Sequence, residues 1–338
     1  MKLSDFSRYA LGFCAAAAML GSCGGSQPPI GAPLAMSQGP AIATHAAHST
    51  SWMLRGSLLY VVTDTNLAYV VEYPSGKLAQ KLLFDANVGT GACSDSGGNV
   101  FITAGGAGTL TGVIYEFAHG GKTAIAMLDD ANYVPSACSV DPTSENLTVT
   151  NFPTNGNCVP GGNVAVYAGG HSPPTSYTDS NFYCYSAAAY DDQGNLFIGG
   201  EGYGSGYLFV IAELPRGSST FTDIALNEPL TCRPECDNHM QWDGTYLAIT
   251  RPSQDHKSPI VYRVQVSGST GTIVGTTKFK GDFGKYSGEG SWIDEASTIL
   301  DYRFGSVAIW KYPAGGKIVQ VLIKGLGGFR KPGLTISQ

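Results

Sequence analysis

Charge is scarce in this chain. Asp, Glu, Lys and Arg make up 14% of its 338 residues, where soluble domains carry about 25%. Basic residues are the scarcer kind, 20 against 26 acidic ones, for a formal net charge of −6. No nucleic-acid partner is expected, because such proteins carry a basic footprint. Long hydrophobic runs are missing too. Leu11 to Leu20 is apolar throughout, but its length is about half of the ~20 residues a membrane-crossing helix needs. Familiar catalytic signatures are also absent: there is no Gly-x-Ser-x-Gly elbow and no His-Glu-x-x-His pair. Glu201-Gly202-Tyr203-Gly204-Ser205-Gly206 follows a strand pattern, but no helix pattern comes after it, so it is not a phosphate loop.

Glycine is abundant, with 45 residues, alongside 18 Tyr and 14 Phe. Hydrophobic residues at 43% supply enough core to exclude general disorder. Many Gly, Tyr, Thr and Val favour short strands joined by tight turns. An all-β fold is expected.

The N-terminus reads as an address. Lys2 and Arg8 form a basic start, Leu11 to Leu20 a short apolar region, and Leu20-Gly21-Ser22-Cys23 a small-residue cleavage site. This arrangement resembles the lipobox of bacterial lipoproteins. The resemblance implies a signal peptide over 1–22, diacylglyceryl transfer to Cys23, and stable anchoring by several acyl chains. Gly24 in place of Asp after that Cys resembles the pattern that sends lipoproteins to the outer membrane. Residues 23–55, opening Gly24-Gly25-Ser26-Gln27-Pro28-Pro29, show no apolar periodicity and read as a flexible tether.

Residues 56–338 repeat with a period near fifty. One unit is a turn that opens a strand: Ser96-Gly97-Gly98-Asn99-Val100-Phe101-Ile102, then Thr143 to Val149, Asp192 to Ile198, Trp242 to Ala248 and Glu295 to Leu300. Gly-Asn before an apolar run is hairpin chemistry, since both residues tolerate positive φ. The second unit runs apolar-x-aromatic-x-x-Gly, as in Val71-Glu72-Tyr73-Pro74-Ser75-Gly76 and Trp310-Lys311-Tyr312-Pro313-Ala314-Gly315. Pro at the second turn position and Gly at the fourth predict a type I turn. Six such units of four short strands predict a six-bladed β-propeller. The last unit, Gly325 to Ile336, resembles an innermost strand that then stops, and the unit starting at Ser57 lacks that strand. The C-terminal strand is expected to pair into the N-terminal blade and close the ring.

These motifs resemble the NHL-repeat and gluconolactonase-like six-bladed propellers, and secreted bacterial lipoproteins built from the same blades. The gluconolactonase-like enzymes hold a divalent metal such as Ca²⁺ in the central channel. Under that resemblance the oxygen donors on the matching face are Asp64, Asn151, Glu201, Asp237 and Asp282. None lies in a motif that matches residue by residue, so no catalytic residue is assigned.

Of eight cysteines, Cys14 leaves with the signal and Cys23 is the lipidation site, which leaves an even six. An oxidising compartment then favours disulfides. Cys158 and Cys184 fall in two loops of one face and are expected to pair. Cys232 and Cys236 share a loop, and Cys93 and Cys138 occupy similar inner-strand positions. A zinc site at Cys232-x-x-x-Cys236-Asp237-Asn238-His239 is the alternative for the second pair.

A ligand site is expected on the face carrying the longer loops, with Tyr185, Glu201, Tyr203, His239, Arg251 and Arg303 as candidates, flanked by Tyr133 and Tyr286. The leading reading is a lipid-anchored extracytoplasmic propeller that binds a small molecule or protein without catalysis. A metal-dependent hydrolase or lactonase and a structural scaffold are the alternatives.

Overall fold

Leu58-Leu59-Tyr60-Val61-Val62 is an unbroken apolar run, and it forms a strand whose side chains are all buried. The computed structural model describes residues 56–338 apart from 87, 107–108, 132, 154–157, 205, 207, 233–237, 254–257, 282–289, 296, 304 and 327–332. The lipobox, Cys23 and the tether lie outside the described residues, as do Cys236, Asp237, Asp282 and Tyr286.

In chain order the first sheet holds β1 (Leu58–Val62), β2 (Leu67–Glu72) and β3 (Lys77–Leu83). The second holds β4 (Val88–Ser94), β5 (Val100–Gly106), β6 (Thr109–Phe117) and β7 (Ala124–Ala131). The third holds β8 (Tyr133–Val140), β9 (Leu147–Pro153), β10 (Asn163–Tyr167) and β11 (Thr175–Tyr177). Next come β12 (Phe182–Tyr190), β13 (Leu196–Gly202), β14 (Leu208–Leu214), β15 (Thr222–Leu226) and the short β16 (Leu230–Thr231). They precede β17 (His239–Trp242), β18 (Leu247–Pro252), β19 (Pro259–Ser267) and β20 (Thr270–Lys280). The chain ends with β21 (Ser291–Asp294), β22 (Thr298–Arg303), β23 (Ser306–Lys311), β24 (Gly316–Lys317), β25 (Gln320–Ile323) and β26 (Gly333–Ser337). Helix is confined, among the described residues, to one 3-10 turn at Ala168–Gly170.

Each group is an antiparallel meander, and further pairings link the groups, among them a parallel one of β20 with β24 at Phe279–Gly316 and Lys280–Lys317. β15 and β20 pair in parallel at Ala225–Thr270 and Leu226–Gly271. That contact joins β12–β15 and β17–β20, with β16 on β14 and β24 on β20, into one ten-stranded sheet, so the described strands fall into five hydrogen-bonded sheets where six separate ones were expected. β26 pairs antiparallel with β1, from Leu58–Ser337 to Val62–Gly333, so the two ends of the domain share a sheet.

The core explains the unbroken apolar runs. β1 sends Leu58, Tyr60 and Val62 to one neighbouring sheet, where they meet Val100, Ile102 and Phe117. It sends Leu59 and Val61 to the other side, where they meet Leu300, Tyr302 and Ile309. A strand buried on both faces has no polar alternation. Further clusters fill the spaces between each consecutive pair of meanders, so the chain of contacts returns to its start.

The two repeating turns are closed differently from the sequence expectation. In the first, Asn does not take positive φ; Gly98, Gly194 and Gly244 do. Asn instead binds back to an Asp at the turn's start. The Asn99 backbone N–H donates to Asp95 Oδ1 at 2.7 Å, and its side-chain amide to Oδ2 at 2.9 Å. Asn195 repeats both bonds with Asp191, at 2.9 and 2.8 Å. In the second turn the Gly76 N–H donates to Glu72 O, four residues back, at 2.8 Å. The loop is therefore one residue wider than a type I turn. Gly76 has φ of 78°, and a Cβ there would sit 2.0 Å from Leu322 O. Only glycine lets the turn lie against the last sheet.

Candidate functional site

The first strand of each meander after the opening one faces a common space. β4, β8, β12, β17 and β21 wall a cavity of about 270 Å³, and β26 contributes Leu334 to the same wall. These strands also touch in sequence: β26 meets β4, β4 meets β8, β8 meets β12, β12 meets β17, β17 meets β21, and β21 meets β26. The cavity is therefore axial, and every meander contributes to it.

Two disulfides brace this region, both as expected. Cys93 and Cys138 link β4 to β8 with Cα atoms 5.7 Å apart, and they form part of the cavity wall. Cys158 and Cys184 are joined with a Cα separation of 5.2 Å. Cys232 is buried and also disulfide-bonded.

The described wall is polar and nearly uncharged. Ser94, Ser139, Ser186 and Ser291 supply hydroxyls from four strands, Gln241 an amide, and Trp242 and Trp292 indole rings. The described lining includes no Lys or Arg, and its ionisable side chains apart from Tyr190 are Asp192 and His239. Much of this polarity is already used within the protein. Ser94 Oγ donates to Ile336 O at 2.9 Å, and Gln241 bridges to the backbone of Ile293 through both amide atoms at 2.7 and 2.8 Å. Trp242 Nε1 donates to Asp192 Oδ2 at 2.9 Å.

One position in the repeat breaks this pattern. Thr90, Ser136, Ser186 and Asn238 each stand five residues before the turn Asp, at Asp95, Asp141, Asp191 and Asp243. The first three sit where β4, β8 and β12 shift register, at bulges that turn an extra side chain out of the ladder. Thr90 Oγ1 and Ser136 Oγ are satisfied by the carbonyl and hydroxyl of Thr103 and Thr150, at 2.8–3.1 Å. Ser186 has no such threonine, because its strand partner offers Gly199. A Cβ there would lie 2.4 Å from the Phe209 ring and 2.7 Å from Met240 Sδ. Ser186 Oγ and Asn238 Nδ2 are both buried without a hydrogen-bond partner. Each such group costs about 1–3 kcal/mol while unsatisfied.

Of the described residues singled out in the sequence as ligand or metal contacts, only His239 lines this cavity. Tyr185 is 3% exposed; its ring stacks on Phe182 at 5.0 Å, and its hydroxyl donates to Asp179 O and accepts from Asp179 N–H. That is a packing role. Glu201 lies with its carboxylate 3.4 Å from Cys158 Sγ, and burial raises its pKa. Tyr203 is 61% exposed beside Tyr183, with ring centroids 5.8 Å apart. Arg251 pairs with Ile260 in the β18–β19 ladder, and burial lowers its pKa. Arg303 ends β22 opposite Ser306, and Tyr133 opens β8 opposite Pro153. Asp64 stands in the turn after β1, away from the described lining. The expected loop-face constellation thus does not converge on the axial cavity. The wall instead runs on to Pro142 and Asp192, at the hairpin end.

Asn151, a candidate metal ligand, belongs to a different buried cluster. Its amide donates to Asn163 Oδ1 at 2.8 Å and to Asp130 Oδ1 at 3.3 Å. Asp130 is 4% exposed, and burial pushes its pKa up to about 6. Tyr167, raised by burial and by that carboxylate, donates its hydroxyl to Asp129 O at 3.1 Å. The cluster packs between two sheets and does not face the cavity.

No family model matches the chain, and no curated protein matches it. Among solved structures, it is similar to a chain of the crystal structure of a nidogen/laminin complex, with a TM-score of 0.61 and 13% identity. That match covers 84% of this chain and 99% of the other. The fold is a β-propeller. A structure described as a Dos1 propeller is similar at a TM-score of 0.46 and 9% identity, over 80% of this chain and 68% of that one. Propellers carry many unrelated functions on one architecture, so this identity assigns none by itself. The described propeller contains no helix long and apolar enough to cross a membrane.

Proposed function

We propose that this chain is a lipid-anchored, extracytoplasmic, six-bladed propeller that binds a ligand in its axial cavity. The observation that carries the reading is the cavity wall, to which every meander contributes one strand and which holds unpaired polar groups. The ten-stranded sheet counts as two blades whose outer strands meet, and β26 completes the first blade. The anchor rests on Leu20-Gly21-Ser22-Cys23 and the short apolar run before it. Two disulfides accord with an oxidising compartment. The resemblance to NHL-type lipoproteins supports the same placement, with the outer membrane favoured by Gly24.

A protein partner is the second reading. Its support is the similarity to a chain from a complex with laminin, together with exposed Leu78 and Leu83 on β3 and exposed Ile125 and Met127 on β7.

Labelling with radioactive palmitate in a bacterial host tests the anchor: wild type should be labelled and membrane-bound, and Cys23→Ser unlabelled and released. Label retained on Cys23→Ser overturns the lipobox. For the cavity, Trp242 and Trp292 are reporters. A small-molecule library should yield compounds that shift the fluorescence of wild type but not of Trp242→Phe/Trp292→Phe. A library with no such compound overturns the ligand reading and leaves the scaffold.

A further inference from the structure

The cavity wall also points to the class of ligand, and this step rests on the reading that the cavity is a binding site. We infer that the ligand is a neutral, polyhydroxylated small molecule of monosaccharide size, contacted by Ser186 and Asn238 and stacked on the indoles of Trp242 and Trp292.

Size comes first. A cavity of about 270 Å³ falls below the ~300–1,000 Å³ typical of drug-sized sites. It holds one small ring and excludes a longer chain from lying wholly inside. Charge comes second. With no Lys or Arg in the described wall, an anion would meet Asp192 and find no permanent cation. A cation would find one carboxylate that already accepts the Trp242 N–H. A neutral ligand pays neither desolvation cost.

Chemistry comes third. Indole rings beside hydroxyl and amide groups suit a molecule with one apolar C–H face and a rim of hydroxyls. Ser186 and Asn238 supply the specific element. They are the two repeat positions whose hydrogen-bonding capacity the protein leaves unused, while their counterparts Thr90 and Ser136 are satisfied. Ser186 lies on β12, and Asn238 immediately precedes β17, the neighbouring inner strand. The Ser186 hydroxyl belongs to a residue of the cavity wall, where a change of staggered χ1 would re-aim it. There it can donate to a sugar hydroxyl or accept from one, and Asn238 Nδ2 donates.

Calorimetric titration of the mature full-length protein tests this, using glucose, galactose and mannose against glucuronate, galacturonate and mannuronate. At least one neutral hexose should bind, with its uronate about tenfold weaker. Ser186→Ala should weaken hexose binding about fivefold or more without lowering the melting temperature, because Oγ has no partner to lose and its burial is itself costly. Trp242→Phe should weaken binding as well. Uronates binding as tightly as hexoses, but losing affinity in the same variants, would overturn the neutral class and leave the cavity as the site. Hexose binding indifferent to both variants would overturn the cavity itself. No heat from any of the sugars would overturn the saccharide assignment, and the library screen would then decide the wider reading.

Discussion

Single carboxylates do two opposite jobs in this molecule. Asp191 is nearly buried, yet its oxygens accept from the Gln193 and Asn195 N–H groups and from the Asn195 amide, all at 2.8–2.9 Å. It replaces ladder bonds that the turn cannot make. Asp191→Ala strands those donors and should lower unfolding free energy by about 2–3 kcal/mol in urea titration, with Asp191→Asn recovering part of it. Asp130 is the reverse case. Burial raises its pKa to about 6 from the ordinary carboxylate range, so the folded state holds a proton that the unfolded chain releases. The Asp130 contribution to stability is therefore greatest below about pH 4, where both states are protonated, and is lost as pH rises through 6. The loss amounts to roughly 3 kcal/mol at neutral pH, from 1.36 kcal/mol per pKa unit. Asp130→Asn should flatten this profile between pH 4 and 7. An equally steep profile in that variant would assign the dependence to another group.

At the scale of strands and turns, much was legible before any coordinates. Hairpin spacing depends on local residues, so the period near fifty and the order of strands follow from Gly-Asn and Pro-x-Gly signals. What escaped was the residue just ahead of the quoted turn unit. An Asp at 95, 141, 191 and 243 accompanies four of the five quoted copies, inside the unit at Asp243, and its side-chain role needed only the observation that it precedes the Asn or its equivalent by three to five residues. Asn146 and Asn195 also tie their turn to the other one of the same meander, through Gly169 N–H and Arg216 N–H, at 2.9 and 3.0 Å. The cavity was harder to read. Inner-strand positions such as Ser139, Ser186 and Gln241 look like ordinary alternation, and nothing local separates a side chain facing an axis from one facing a neighbouring sheet. Among the loop-face candidates, Tyr185 is aromatic and polar, as a binding residue would be, but its hydroxyl is satisfied by Asp179, six residues away.

Closure is a property of the whole molecule, and β26 carries it. Gly333–Ser337 is entirely buried, with Leu334 and Ile336 in the cluster shared by the first and last sheets. Its polar residues bind sideways into the second sheet as well. Ser94 Oγ meets Thr335 Oγ1 at 3.0 Å, and Ser337 Oγ donates to Gly98 O while facing His119 Nδ1 at 2.6 Å. Gly333 leaves room for this approach, since a Cβ there would stand 2.4 Å from Ala92 N. Five residues thus connect three sheets. Burying Leu334 and Ile336 contributes about 1.5–3 kcal/mol each, before the ladder with β1 is counted. Removing residues 333–338 also uncovers the β1 edge, whose residues are all apolar, and such an edge templates association. The truncated chain should therefore melt well below wild type, bind a hydrophobic dye and elute as aggregate. Leu334→Asp should do the same with every backbone group in place, because it puts an unpaired charge into that cluster. A truncated protein that melts within two degrees of wild type and stays monomeric would mean that the ring holds without its last strand, and that packing between neighbouring sheets alone sustains the propeller.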